Sequence, residues 1–330
     1  MSMLVTFIQR AIIQGIPLLF GSTGEIITEK SGNLNLGIPG IMYVGGISGV
    51  IGAFLYEQSV PNTEPLNPFL AIAIPLLSAL VGAGLMGLLY CFLTVTLRAN
   101  QNVTGLAMTT FGVGFGNFFG GSLATLTNSE TASVALIKTS NFFRACLPFA
   151  KTTGWFGTIF LSHGFLAYSA VLIAIVTAVF FRRTRTGLNL RAVGENPATA
   201  DAAGINVSVY KYVSTIIGSA IAGLGGLYYV MDYTMGVWSN NGFGDRGWLA
   251  IALVIFAIWK SDIGILGSIL FGGMYIVYLF IPGLSRSSQE LFKMLPYVVT
   301  LFVLIIVSLR KKREDQPPMS LGLPYFREER

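Results

Sequence analysis

The sequence predicts an all-α protein, a polytopic bundle of eight to ten transmembrane helices, and three observations predict it. Charged residues make up 11% of the chain and hydrophobic ones 53%, where soluble domains carry roughly 25% charged residues. Uncharged stretches run over 31–56, 69–97, 101–129, 152–181, 212–231 and 263–285. Each reaches or exceeds the roughly 20 residues that a helix needs to cross a hydrocarbon core about 30 Å thick. None shows the strand-length alternation of a barrel, so helices are left to satisfy the backbone amides in lipid.

Nine hydrophobic segments follow, at 4–27, 34–57, 67–97, 101–127, 162–182, 206–232, 244–260, 262–283 and 291–310. The first has Arg10 as its only early cation and no basic region before its apolar stretch, so it reads as a retained helix and not a signal peptide. The second carries Gly45-x-x-x-Gly49, the fourth Gly112-x-x-x-Gly116-x-x-x-Gly120, and the sixth Gly218-x-x-x-Ala222-x-x-x-Gly226. Such small faces let helix backbones approach and read first as packing surfaces. The fourth and fifth segments are separated by a loop at about 128–161, and the ninth is followed by a basic tail, 311–330. The second and seventh segments open on glycine- and proline-interrupted stretches, 32–46 and 242–250. Paired interruptions of this kind mark transport pathways in repeat-built carriers, because broken helices free backbone polar groups at membrane depth.

Cations set the sidedness. One cluster comprises Arg182, Arg183, Arg185 and Arg191, another Arg310, Lys311, Lys312 and Arg313, and four segments lie between them. Both therefore face the same side, which the positive-inside rule makes cytoplasmic. Lys30, Arg98, Lys211, Lys260, Arg327 and Arg330 join them, while Arg10, Lys138, Arg144, Lys151, Arg246, Arg286 and Lys293 fall outside. The N-terminus is then external and the C-terminus cytoplasmic. Glu25 and Asp232 stand near predicted helix ends, where interfacial water would solvate them. Cys91 and Cys146 lie in different settings and are not expected to pair.

The most informative local stretch is Arg185–Val207. Asn196 suits an N-cap, Pro197 the first helical position, alanines fill the interior, and Gly204 fits a left-handed stop. A helix at 197–203 follows, too short to be stable without a docking surface. Its small alanine face suits either its own bundle or a groove on a cytoplasmic partner, with Ala200 the natural crosslinking position.

This stretch resembles the coupling-helix region of membrane permeases of ATP-binding-cassette importers for branched-chain amino acids, simple sugars and nucleosides. Gly24-Glu-Ile-Ile-Thr-Glu-Lys-Ser-Gly-Asn-Leu-Asn-Leu-Gly-Ile-Pro-Gly40 is similar to the early signature of the nucleoside and simple-sugar branch, and Gly242–Trp259 to its late one. Pro39 stands where that branch often has an acidic residue, and Lys30 replaces an arginine. The resemblance runs from about Pro17 to Tyr278. It implies a type II ABC importer-like permease in a bacterial cytoplasmic (inner) membrane, carrying nucleosides, or else simple sugars or riboflavin. It further implies a cytoplasmic ABC ATPase, a second and different permease subunit, and an extracytoplasmic solute-binding protein or lipoprotein. The ATPase-coupling residues would be Gly194, Glu195, Asn196, Pro197, Ala198, Thr199, Ala200, Asp201, Ala202, Ala203 and Gly204.

Polar and aromatic side chains within the spans are the candidates for a translocation pathway: Asn35, Tyr43, Phe111, Phe115, Asn117 and Trp248. An amide such as Asn117 inside an apolar run must find a partner or a wet cavity. No glycine-lysine-serine/threonine phosphate loop is present, so hydrolysis of ATP would fall to a separate partner and no catalytic residue is assigned. With His163 as the single histidine there is no two-histidine zinc motif, and neither metal nor cofactor is expected. An ion-coupled carrier is the main rival, but it usually needs mid-span acids or bases. The basic tail reads as topogenic and lipid-facing, with no nucleic-acid partner.

Overall fold

The computed structural model describes residues 3–61, 63–126, 133–146, 148–150, 152–310 and 316–326. The predicted cations Lys151, Lys311, Lys312, Arg313, Arg327 and Arg330 lie outside the described residues. Helix α1 (Met3–Glu29) and helix α2 (Ile38–Ser59) are joined by loop 30–37. Helix α3 (Pro68–Cys91) is capped by the Asn67 side chain, which accepts from the Phe69 N–H, and runs on as a π-turn to Thr96. A turn at Arg98, with φ 58°, leads into α4 (Gln101–Leu126). Then come β1 (Ser133–Ala135), α5 (Ile137–Phe143), α6 (Gly154–Phe156), α7 (Phe165–Arg183), α8 (Arg185–Glu195) and α9 (Pro197–Ala202). Helix α10 (Val207–Tyr228) ends in a π-turn to Tyr233 and precedes β2 (Val237–Ser239), α11 (Arg246–Phe256), α12 (Ser261–Ile276), α13 (Arg286–Lys293) and α14 (Leu295–Arg310).

Seven of these helical stretches are long and apolar enough to cross a membrane: 3–29, 38–59, 68–96, 165–183, 207–233, 261–280 and 286–309. Helix α4 has 26 residues but is less apolar, and α11 has only 11. With these two, the helical segments fall where nine were predicted; the largest boundary shift is at the last, 291 expected against Arg286 observed. Helix α8, between two predicted elements, was not expected.

Helices α1, α2, α3 and α10 form the trunk, and glycine makes its seams. A Cβ on Gly24 would sit 2.2 Å from the Gly218 carbonyl oxygen, and one on Gly218 2.3 Å from that of Gly24. One on Gly45 would lie 2.4 Å from Gly223 Cα, and one on Gly226 1.8 Å from the Met42 carbonyl oxygen. Backbone thus meets backbone at these glycines and at Gly112 on Gly40, whereas Gly49, Gly116 and Gly120 are filled by the side chains of Leu227, Tyr43 and Trp238. Helix α4 lays its glycine edge along α2 and leaves Leu106, Phe111 and Phe118 exposed.

The antiparallel pair β1–β2 aligns Val134 with Trp238. Beside it, Glu57 of α2 accepts from both the backbone N–H (2.9 Å) and hydroxyl (2.7 Å) of Thr139, fixing α5 to the end of α2.

Two charge assignments are corrected. Glu25, expected in interfacial water, is 1% exposed, because α1 continues to Glu29 and loop 30–37 folds back over it. Arg246, counted among the external cations, is buried: its guanidinium lies over the rings of Tyr229 and Tyr233, 4.6 and 4.9 Å from their centroids. It also donates to the Phe243 carbonyl at 2.7 Å. Aromatic faces and a carbonyl replace its water, which local sequence does not announce.

Candidate functional site

The two interrupted stretches read from the sequence meet inside the bundle. Gly112 is packed on Gly40 and stands eleven residues into α4, so the start of α2 lies about 16 Å along that helix at 1.5 Å per residue. That is near the middle of a core about 30 Å thick. At the same level Gly247 abuts Pro39, where a Cβ would come within 2.4 Å of Pro39 Cα. The starts of α2 and α11 therefore meet at depth; in the turn before α11, Asn241 and Gly244 are both at positive φ (58° and 57°).

Next to this junction lies a polar knot. The Tyr43 hydroxyl donates to Asn117 Oδ1 at 2.5 Å and accepts from the Asn241 N–H at 2.8 Å. Asn117 Nδ2 donates to Asn241 Oδ1 at 2.9 Å, and Trp238 stacks edge-on against Tyr43 at 5.0 Å. Three elements are thus tied through one tyrosine and one amide: α2, α4 and the turn after β2. Asn241 and Trp238 were not singled out from the sequence; Asn241 at positive φ in a glycine-rich turn was the available signal. Of the other candidates, Phe111 and Phe115 share a face of α4, 6.0 Å apart, and Phe111 is exposed. Asn35 is fully buried at the loop's foot, where its Oδ1 accepts from Gly37 N–H at 2.9 Å. Trp248 is half-buried on α11, and no described bond joins it to the knot.

A second polar centre holds the end of α1. Glu25 Oε1 accepts from the Asn35 N–H at 3.1 Å, and Glu29 stands one helical turn further along α1. The Trp259 indole N–H donates to Glu29. Ile258 and Trp259 are consecutive residues at positive φ (54° and 52°), a strained geometry for a β-branched and a bulky residue. The bond to Glu29 is one of the contacts that hold this turn. Replacing Trp259 by Phe is expected to cost about 1.5–3 kcal/mol, the range for a bond to a carboxylate. The thermal midpoint of the detergent-purified protein should fall accordingly; an unchanged midpoint would contradict this role.

At the end of the molecule that carries α8 and α9, caps dictate structure. Asn196 Oδ1 accepts from the Thr199 N–H at 3.0 Å, Pro197 opens α9, and Gly204 stops it at φ 82°. Ala200 points inward, 3% exposed, against Val193 and Val207. Outward-facing residues are Glu195, Asn196, Thr199, Ala202, Ala203 and Gly204, with Pro197, Ala198 and Asp201 partly covered. A crosslink therefore belongs at Thr199 and not at Ala200. Gly194 is buried against loop 30–37, where a Cβ would meet the Lys30 carbonyl oxygen at 2.3 Å. Burial pushes the Lys30 ammonium down to about 8, with Arg191 and Lys260 adding to the effect and Glu195 opposing it.

His163, at the opposite end, is buried with Nε2 2.8 Å from the Ile159 carbonyl oxygen, and burial pushes its pKa down. Among the described residues no cluster of three or more metal-ligating side chains occurs.

Residues 7–304 match the family described as the permease component of the branched-chain amino acid transport system. Three relatives align over most of their lengths. The nucleoside ABC transporter permease protein NupC of Lactococcus lactis subsp. cremoris is 29% identical, over 89% of this chain and 90% of its own. The guanosine ABC transporter permease protein NupQ of Bacillus subtilis is 28% identical, over 97% and 96%. A putative glucose ABC transporter permease of Haloferax volcanii is 31% identical, over 77% and 71%. No solved structure matches the chain significantly. Seven membrane-length helices, the family match over residues 7–304 and the likeness to these permeases over most of the chain identify it as a member of this family: a multi-pass membrane permease subunit of an ABC transporter, and not itself an enzyme.

Proposed function

We propose that this subunit carries nucleosides across a bacterial cytoplasmic membrane, with α9 docked on a cytoplasmic ABC ATPase and the Tyr43–Asn117–Asn241 knot beside the solute's path. The observation that carries the solute class is the near full-length likeness to two permeases named for nucleosides and guanosine. The exposed face of α4 supports this path, since Asn102, Thr110, Ser122 and Thr125 stand there among apolar side chains and polar residues at membrane depth line water-filled cavities. The cations support the sidedness: Arg182 and Arg183 end α7, Arg185 and Arg191 lie in α8, and on the positive-inside rule α8, α9 and the C-terminus would be cytoplasmic and the N-terminus outside. The segment 128–161 would then face a solute-binding protein or lipoprotein.

A second, different permease completes the pathway on this reading. The chain matches two permeases in each of two organisms, NupC and NupB in L. lactis, NupQ and NupP in B. subtilis. Simple sugars are the second reading, on the likeness to the putative glucose permease.

Reconstituted with its ATPase, second permease and solute-binding protein, the subunit is expected to drive ATP-dependent guanosine or adenosine uptake that ionophores leave unchanged. Saturable glucose uptake with none of either nucleoside would replace the first reading by the second. A cysteine at Thr199 should crosslink to the ATPase. Failure in an assembled, active complex would remove α9 from the interface, and labelling of residues 185–204 from outside intact cells would invert the topology.

A further inference from the structure

The C-terminal segment after the last helix folds back under the coupling segment. Ser320 is buried, and both its N–H (3.0 Å) and its hydroxyl (2.5 Å) donate to the Gly194 carbonyl. Gly322 N–H donates to the Gly32 carbonyl at 3.2 Å, in the loop between α1 and α2. The Tyr325 hydroxyl donates to Asp201 Oδ2 on α9 at 2.9 Å, and Arg98 lies 4.7 Å over the Phe326 ring. With the Gln101 side-chain amide donating to the Leu323 carbonyl at 3.5 Å, five bonds and one ring contact fasten this strap to three places: the α8–α9 segment, the α1–α2 loop and the chain around the start of α4.

The strap presents apolar side chains outward. Met319 and Leu323 flank the anchored Ser320 and Gly322 and are 70% and 58% exposed. Helix α9 by itself offers little to grip. Its six residues span about 9 Å, Ala200 is turned inward, and a stable partner surface needs about 800 Å² on each side. The strap lies against α9 and enlarges that surface with two exposed apolar side chains, one of them a methionine, a residue enriched at interfaces.

We infer that residues 318–325 are the second half of the ATPase-docking surface: the C-terminal strap joins α9 to loop 30–37, so that the ATPase meets both together. This rests on the reading of α9 as the coupling helix. It adds a mechanical consequence, because force applied at α9 passes through Ser320 and Gly322 into the loop that leads to the mid-membrane start of α2.

The test uses the whole reconstituted complex in nanodiscs, with the exposed Cys146 replaced by Ser. A benzophenone is attached to a cysteine at Met319 or, separately, at Thr199. Both positions are expected to capture the ATPase in comparable yield. In the Ser320→Ala/Tyr325→Phe background, capture from 319 should fall about ten- to thirtyfold, as loss of two anchoring hydrogen bonds at about 1 kcal/mol each implies, while capture from 199 holds. Capture of lipid only, or of nothing, from 319 while 199 captures the ATPase would overturn the strap inference, as would capture from 319 that the double variant leaves unchanged. Failure at 199 as well, in an active complex, would instead remove the coupling-helix reading on which it rests.

Discussion

Replacing Gly226 by Val is expected to remove most of the folded protein from the membrane. A Cβ at this position would stand 1.8 Å from the Met42 carbonyl oxygen and 2.8 Å from the Gly46 nitrogen. Both are backbone atoms, so no side chain can rotate out of the way, and α10 and α2 must part. Overpacking of an ordinary core costs about 1–3 kcal/mol, and even about 1–2 kcal/mol changes cellular abundance several-fold. Gly24→Val should behave alike, since the Gly24 and Gly218 carbonyls each block a side chain on the other. Gly114→Ala on α4 is the control: nothing lies within 4 Å of its added carbon, and abundance should match wild type. Immunoblots of membrane fractions and size-exclusion profiles provide the measurement; a well-folded Gly226→Val protein at normal abundance would mean that α2 and α10 do not meet backbone to backbone.

The second large effect is expected on transport. Asn117→Leu removes the acceptor of the Tyr43 hydroxyl and the donor to Asn241, leaving Asn241 to satisfy its amide elsewhere. Hydrogen bonds of this kind are worth about 1 kcal/mol each. Two or three lost together should lower ATP-driven uptake by about ten- to hundredfold. Tyr43→Phe, which keeps the ring against Trp238, should lower it about fivefold. Abundance and capture at Thr199 are expected to stay near wild type, because the knot joins α4 to α2 at its less enclosed side and leaves the trunk untouched. Wild-type uptake in both variants would take the knot out of the pathway.

Much of the fold was legible because its causes are local. Nine hydrophobic runs, the Asn196 cap, Pro197 and the stop at Gly204 are each written within a few residues, and the helices appear where those signals stand. The glycine faces announced close contacts without naming partners; that Gly24 meets Gly218 and Gly40 meets Gly112 is a matter of topology. Contacts to the backbone left no trace. Ser320 binds a carbonyl of Gly194, and Gly322 one of Gly32, whereas the sequence of 316–326 reads only as part of a basic, lipid-facing tail. Arg246 and Glu25 were misplaced for the opposite reason. Charge alone argued for water, whereas three tyrosines near Arg246 and the Asn35 amide at Glu25 come from distant or turned-back chain.

Seams in which carbonyl oxygens rest on glycine leave no rotamers to exchange, so α1, α2 and α10 have one way of nesting and cannot slide in small increments. Whatever stroke the ATPase delivers must swing this block as a unit, bending the chain where its dihedrals already leave the common basins. Arg98, at the root of α4, and Ile258 with Trp259, between α11 and α12, are those points. Helix α4, held along a single edge, is the limb freest to follow.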